Sequence, residues 1–249
     1  FNYCEESSKT DFPAKDFDSP QTLVIAFGAT SFLENSEPFE KLAGLFPNSK
    51  IIGCSTAGEI LGDMIYDDSL SVAVLKFEKT CLDLASAPVF NSDESFSAGE
   101  KIAQDLLKPS LRGIIVLSDG LNVNGSRLVE GMNSILPPSV VVTGGLAGDK
   151  DRFQKTWVLH GGFPESNIVS AVGLYGENVH IGHGSKGGWD MFGPERKVTK
   201  AKDNLLFELD GKPALELYKN YLGDLADELP AAALMFPLSL RNDSVDEKR

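Results

Sequence analysis

The chain has 249 residues, of which 42% are hydrophobic and 24% charged, an ordinary composition for a globular protein. A formal net charge of −13 argues against nucleic acid and anionic membrane surfaces as partners, because their phosphates would be repelled. No apolar run reaches the about 18 residues of a membrane span, and no basic segment followed by an apolar core marks a signal peptide. Three widely spaced cysteines form no CxxC pair, which favours the cytoplasm over a disulfide framework or a zinc site.

The first folded segment is predicted to be a β-α-β unit. Residues 1–22 are a polar lead-in, and the continuous apolar run 23–27 is typical of a strand buried on both faces. Apolar residues at helical spacing in 39–46 precede a proline, and a second strand follows at 50–52. A helix between two buried strands predicts that they are parallel neighbours. The loop 53–59 then lies at the carboxyl end of a parallel strand, where open α/β sheets bind ligands.

The next segments complete a repeated unit. Residues 70–77 read as a strand, and 81–89 alternate well enough to pair with it as an antiparallel meander. The apolar stripe from Phe96 to Leu107 predicts a helix that ends at Pro109.

A second copy of this unit is predicted ninety residues later. Residues 23–59 and 113–149 align without a gap: Gly58 meets Gly148, and both loops end in Ala-Gly-acid. Residues 169–174 match 70–75 at an offset of 99, so the second copy carries nine extra residues, near a predicted strand at 155–160. We therefore predict an α/β fold of internally duplicated β-α-β-β-β-α units (repeats 23–109 and 113–180) with mixed sheets and a pseudo-twofold axis. A four-layer αββα sandwich is one way to pack them.

A third section begins near residue 181. We expect a strand at 179–183, a glycine-rich loop at 184–188, and a hairpin of 196–202 with 204–209. A helix should open at Pro213 and close at Gly223. A last strand at 234–238 has no visible partner, so we expect this domain to be truncated.

Three stretches resemble the FIST family: GCSTAGEI at 53–60, TGGLAGD at 143–149, and the long segment 183–223. The resemblance implies a FIST N-terminal domain over 23–180 and the start of a FIST C-terminal domain over 181–249. The family includes bacterial sensory proteins and eukaryotic F-box-associated proteins. It is regarded as an intracellular sensory input, often encoded with histidine kinases, cyclic-diguanylate enzymes or chemoreceptors, so we expect a bacterial sensory domain and not an enzyme. Small ligands such as amino acids have been proposed for it, and some members bind haem to sense nitric oxide. The resemblance assigns no ligand-contacting residue.

The two loops are the candidate binding sites. Glycines let a ligand approach the backbone, and consecutive N–H groups cradle a carboxylate or phosphate. Glu59 and Asp149 could receive an ammonium group, which together with the N–H groups would fit an amino acid. The alternative is that small residues permit tight packing between the two copies. The candidate residues are Cys54, Ser55, Thr56, Gly58, Glu59, Gly144, Gly145 and Asp149, together with Asn122 at the same sheet edge.

Other residues support alternative chemistries. Cys54 could be the nucleophile of a hydrolase or transferase, but no base is indicated, and a buried structural cysteine is favoured. On a strand, His180 and His183 would face opposite sides and could not share a metal ion. His183 alone is our choice as an axial haem ligand. Ser185 and Trp189 are expected to line a cleft between the two sections.

The leading hypothesis is a cytoplasmic sensory domain that binds a small polar ligand and signals to a partner such as a histidine kinase or cyclic-diguanylate enzyme. A haem-based nitric-oxide sensor is the alternative, and a Cys54-dependent enzyme is the third reading.

Overall fold

The structure is a computed structural model, and it describes residues 2–3, 13–182, 184 and 188–241. The chain divides into two compact units, Phe1–His183 and Gly184–Arg249, which are described separately below. Within the described residues, no helix is both long enough and apolar enough to cross a bilayer.

The first unit alternates short strands and helices. In chain order its elements are β1 (Asn2–Tyr3), α1 (Ala14–Phe17), β2 (Thr22–Gly28), α2 (Glu37–Leu45), β3 (Lys50–Ser55), β4 (Glu59–Leu61), β5 (Met64–Tyr66), β6 (Leu70–Lys76), β7 (Cys81–Pro88), α3 (Ser95–Leu106), β8 (Leu111–Ser118), α4 (Gly125–Ile135), β9 (Val141–Leu146), β10 (Val158–His160), β11 (Phe163–Glu165) and β12 (Ile168–Tyr175). Two 3-10 turns cover Thr30–Leu33 and Ser92–Glu94.

These strands form two main sheets and one separate hairpin. The first sheet has the spatial order β1-β6-β2-β3-β10-β11, and the second has the order β7-β12-β8-β9. The hairpin consists of β4 and β5. The predicted parallel pairs are confirmed, because β2 runs parallel to β3 and β8 runs parallel to β9. The α/β class predicted from the sequence is therefore confirmed.

The predicted meander of residues 70–77 with 81–89 is wrong. Strand β6 pairs with β1 and β2 in the first sheet, whereas β7 pairs antiparallel with β12 in the second sheet. Conversely, β10 belongs to the second half of the chain but pairs with β3 in the first sheet. Apolar alternation identifies a strand but not its partner, since pairing depends on contacts distant in sequence. The two sheets are thus interlocked by strands exchanged between the halves of the chain.

The ungapped alignment of the two halves is wrong by one residue at the second strand of each pair. Ala26 lies opposite Gly53 in the first sheet, and Val116, ninety residues after Ala26, lies opposite Gly144. Gly53 therefore corresponds to Gly144, at an offset of 91. A Cβ on either glycine would lie within 2.1 Å of the carbonyl oxygen opposite, so both positions require glycine for the same reason. The extra residue lies between α4 and β9.

The core has three apolar clusters that define four layers. One cluster packs α1 and α2 against the first sheet, and another packs α3 and α4 against the second sheet. The third lies between the sheets and includes Leu23 and Ile52 from the first and Leu117 and Val172 from the second. This arrangement is a four-layer αββα sandwich.

Helices α3 and α4 contact each other through backbone. A Cβ on Gly99 would lie 2.1 Å from the carbonyl oxygen of Leu128, and one on Gly131 would lie 2.0 Å from that of Phe96. Each glycine therefore admits the backbone of the facing helix.

The second unit contains β13 (Val198–Lys202), β14 (Leu205–Leu209), β15 (Lys212–Pro213), α5 (Ala214–Leu222) and α6 (Ala232–Met235). The predicted hairpin and helix are confirmed, and Gly223 ends α5 with a φ of 58°. The strand predicted at 234–238 is wrong, because α6 covers its first residues. The strand predicted at 179–183 is not formed in its described residues, 179–182.

Candidate functional site

The carboxyl ends of the two parallel strand pairs meet at one end of the sandwich. The loop after β3, residues 56–58, is here called the first loop, and the loop after β9, residues 147–157, the second loop. The amide of Gly148 donates to the carbonyl of Ser55 at 2.8 Å. A Cβ on Gly148 would lie 3.2 Å from the amide nitrogen of Ala57. The two loops therefore touch backbone to backbone, which small residues make possible.

Both loops begin later in the chain than the sequence indicated. Residues 53–55 and 143–146 belong to strands β3 and β9 and not to loops. A continuous apolar run such as 50–52 locates a strand. It does not show whether the small residues that follow the run still pair with the neighbouring strand.

Glu59 is a buried carboxylate with partners in its own vicinity. The residue is 2% exposed and accepts hydrogen bonds from the Thr56 hydroxyl at 2.9 Å and from the Ser69 hydroxyl at 2.9 Å. The amide of Ser69 donates to the same carboxylate at 3.2 Å. These bonds fasten the first loop to the start of β6 and occupy both carboxylate oxygens.

Asp149 is a buried carboxylate that fastens the second loop through hydrogen bonds. The amides of Gln154 and Lys155 donate to one carboxylate oxygen at 2.9 and 3.1 Å, and Arg152 Nε donates to the other at 2.9 Å. Arg152 also donates to the Thr30 hydroxyl at 2.6 Å, which joins the two halves of the sandwich. Burial by itself would raise the pKa of Asp149, but these hydrogen bonds outweigh it and hold the pKa below its ordinary value.

Asp119 is a third buried carboxylate, at the end of β8. It is 1% exposed and accepts from the amides of Leu121 and Asn122 at 2.9 and 2.7 Å and from the Thr156 hydroxyl at 2.8 Å. The Asn122 side chain donates to Asn167 Oδ1 at 2.8 Å. Each of these three carboxylates accepts at least three hydrogen bonds from within the fold. An ammonium group on Glu59 or Asp149 would therefore compete with these internal bonds.

Cys54 and Ser55 lie behind the loops. Cys54 is 3% exposed in the apolar cluster between the sheets, and burial raises the pKa of its thiol to about 12. A thiol with so raised a pKa is a weak nucleophile at neutral pH, which favours the buried structural cysteine over the nucleophile for Cys54. Ser55 is fully buried, and its hydroxyl accepts from the amide of Trp157 at 3.2 Å.

The accessible part of this end is the backbone of the first loop. Thr56 and Gly58 are half-buried, and Ala57 is exposed. The amides of Ala57 and Gly58 donate to no acceptor in the described part of the chain. A Cβ on Gly58 would lie 4.0 Å from Asp67 Oδ1, and that oxygen pairs with Lys150 Nζ at 2.7 Å.

The remaining predicted residues do not belong to the two loops. Gly144 and Gly145 are exposed on β9. Trp189 belongs to the second unit, where it is 64% exposed and donates to the carbonyl of Met235 at 3.0 Å. His183 and Ser185 lie outside the described residues.

No cluster of metal ligands forms among the described side chains. His160 is exposed and lies 3.2 Å from the Glu165 carboxylate, and His180 is also exposed. In this part of the chain, no three His, Cys, Asp or Glu residues are grouped so that they could hold a metal ion.

Sequence reasoning missed two residues that fix the second loop. Trp157 is fully buried, donates from its indole to the carbonyl of Ala29 at 2.9 Å, and packs edge-on against Phe39 with ring centroids 5.0 Å apart. Trp157 lies in the segment of extra residues that the first half lacks, and this could have indicated a special role for it. Arg152 had none, because its partners Asp149 and Thr30 meet it only in the folded chain.

The fold and this end of the sandwich define a class: an interlocked double-sheet α/β domain whose first loop leaves backbone accessible. The model of the FIST N domain matches residues 22–212, more than half of the chain. The chain therefore belongs to the FIST N domain family, a family of sensory, signal-transduction domains. The resemblance expected from the sequence is confirmed, and the match continues past residue 180.

A protein of Methanocaldococcus jannaschii described as uncharacterized is similar to this chain. The two are 27% identical over 217 residues, which is 78% of this chain and 40% of that protein. The chain thus spans less than half of the length of this relative.

Proposed function

We propose that this chain is a cytoplasmic sensory domain that binds a small carboxylate-bearing ligand, such as an amino acid, at the first loop. The observation that supports this proposal best is the pair of consecutive amides at Ala57 and Gly58, which have no acceptor among the described residues. At the same end of the sandwich, the buried carboxylates of Glu59, Asp149 and Asp119 are engaged in internal hydrogen bonds. Consecutive N–H groups bind a carboxylate where the backbone turns them towards the same side.

The charges beside the first loop fit an amino acid. Lys150 supplies a positive charge near Gly58 through its ion pair with Asp67. The Asp67 side chain is 71% exposed, so it can accept an ammonium group without breaking a buried network. We therefore assign to Asp67 the role of ammonium acceptor that the sequence gave to Glu59 and Asp149.

The hairpin of β4 and β5 offers a route for the signal. It begins at Glu59, directly after the first loop, and its opposed residues Ile60 and Ile65 are 67% and 72% exposed. A ligand that orders the first loop would also reposition this apolar hairpin against a signalling partner. A histidine kinase or a cyclic-diguanylate enzyme is the class of partner we propose, in keeping with the sensory role of the family.

Calorimetric titration with amino acids and with simple carboxylates tests the proposal. Asp67→Asn should weaken amino-acid binding about tenfold or more, because an ammonium loses its charged partner. Simple carboxylates should bind the variant as well as or better than the wild type, since Lys150 is freed from its ion pair. Asp63→Asn, the same change in the hairpin turn, is the matched control and should leave both affinities unchanged.

Two results would count against the proposal. One is the absence of any heat or thermal shift with either ligand class. The other is an equal loss of both classes in Asp67→Asn, which would mean that the substitution disturbs the loop and not the ammonium contact.

A further inference from the structure

The main sheets of the first unit have four edge strands in the described residues, and they differ in how they are protected against further pairing. Strand β1 is two residues long, and β11 carries Pro164 and Glu165. Strand β7 carries Asp83, ion-paired with Lys108, and ends at Pro88. Short length, proline and charge are the usual devices that stop an edge strand from pairing with another chain.

Strand β9 has none of these devices. It has six residues, VVTGGL, with neither charge nor proline, and its last three residues are exposed. Within the described chain it pairs only with β8, so its outer edge presents unpaired backbone groups. An edge of this kind is a template for an added strand.

The corresponding edge in the first sheet is covered. The register places Gly53 and Gly144 at equivalent positions, so β3 is the counterpart of β9. The outer edge of β3 receives β10 in antiparallel pairing, with Val158 opposite Cys54. The position equivalent to Cys54 is Gly145, beside which no strand of the described chain lies. The fold therefore accommodates an antiparallel strand at this place.

The distribution of charge indicates what could cover β9. Residues 131–148 contain no Asp, Glu, Lys or Arg, although the chain as a whole carries a formal charge of −13. Two copies of so acidic a chain repel each other over most of their surface. Repulsion is weakest where the surface is neutral, and a twofold axis would bring β9 against itself.

We propose that β9 pairs antiparallel with β9 of a second copy of this chain, which joins the two four-stranded sheets into one continuous eight-stranded sheet. Such an interface is isologous, because the same strand contributes on both sides of the axis. It satisfies the outer backbone groups of both copies and removes the exposed edge from each.

Sedimentation velocity of the 249-residue chain, from below to well above about 1 µM, tests this pairing. We expect a reversible dimer, and hydrogen exchange of the amides in 141–146 should slow as the dimer forms. The diagnostic variant is Gly145→Lys. A Cβ there meets no atom within 4 Å, so the single copy has room for the side chain, while the charge lies on the strand that pairing would cover.

Gly145→Lys should weaken self-association about tenfold or more. Gly44→Lys on α2 is the matched control, because it adds the same charge at another glycine whose Cβ would meet no atom within 4 Å. It should dimerise like the wild type. Three results would each overturn the proposal. The wild type could stay monomeric at every concentration, or dimerisation could slow hydrogen exchange only at amides outside β9. The third is equal dimerisation of the two variants. None of these outcomes depends on the ligand proposed above.

Discussion

Replacing Asp149 by alanine removes the acceptor that holds the second loop against the rest of the sandwich. The Asp149 side chain is 2% exposed and accepts from two backbone amides and from Arg152. After the substitution these donors lose their shared acceptor at the point where the loops meet. The fold should survive, because none of the three apolar clusters contains Asp149.

The expected cost follows from the number and type of these bonds. A hydrogen bond to a charged group contributes about 1.5–3 kcal/mol. The contributions do not simply add, because residues 152–155 are exposed and their freed donors can be solvated in part. We therefore expect Asp149→Ala to lower the free energy of unfolding by about 3 kcal/mol. For a domain of this size, that loss corresponds to a fall in Tm of about 6–12 °C.

Thermal unfolding followed by the fluorescence of buried Trp157, in a Trp189→Phe background, measures the change in the first unit. Asp67→Ala is the matched control, because its carboxylate also makes an ion pair but its side chain is 71% exposed. An exposed pair contributes about 0–1 kcal/mol, so its Tm should move little. If Asp149→Ala moved Tm no more than Asp67→Ala does, the carboxylate would not be structural, and our interpretation of the second loop would be refuted.

The stabilisation by Asp149 should depend on pH with a defined sign. Its folded-state pKa lies below the ordinary value of about 3.9, so the contribution is complete above that pH and is lost as pH falls through the folded pKa. The difference in unfolding free energy between wild type and Asp149→Ala should therefore be constant from neutral pH to about 5 and shrink below about 4. Urea titrations at a series of pH values measure it, and a difference that grows on acidification would contradict this sign.

Two further predictions concern packing and the thiols. Gly99→Ala should destabilise the chain by about 1–3 kcal/mol, because the added methyl group meets the α4 backbone. Gly44→Ala, in open space on α2, should instead stabilise it by about 0.5–1 kcal/mol, and equal urea midpoints for the two variants would contradict the close crossing of α3 and α4. A thiol reagent at pH 8 should modify exposed Cys81 and leave Cys54 unmodified until the chain is unfolded, as peptide mapping can establish. Labelling of Cys54 in the native protein would show that the apolar cluster between the two sheets opens to solvent.

The sequence by itself determined the elements that depend on local pattern. Continuous apolar runs at 23–27 and 113–117 located two buried strands, and the crossover helices made each of them parallel to its successor. Pro47 and Gly223 marked the ends of two helices, because a proline cannot continue a helix and a glycine readily adopts the positive φ that closes one. The loop motifs and the long segment 183–223 identified the family.

Only the tertiary structure decided how these elements combine. The exchange of β7 and β10 between the sheets and the one-residue offset at β9 depend on non-local pairing, which local apolarity does not encode. The site was decided in the same way. The sequence suggested Glu59 and Asp149 as acceptors for a ligand, but residues such as Ser69 and Arg152 bond to them once the chain folds. The open amides of Ala57 and Gly58 and the unpaired edge of β9 became visible only when the pairing of the other described strands and loops was known.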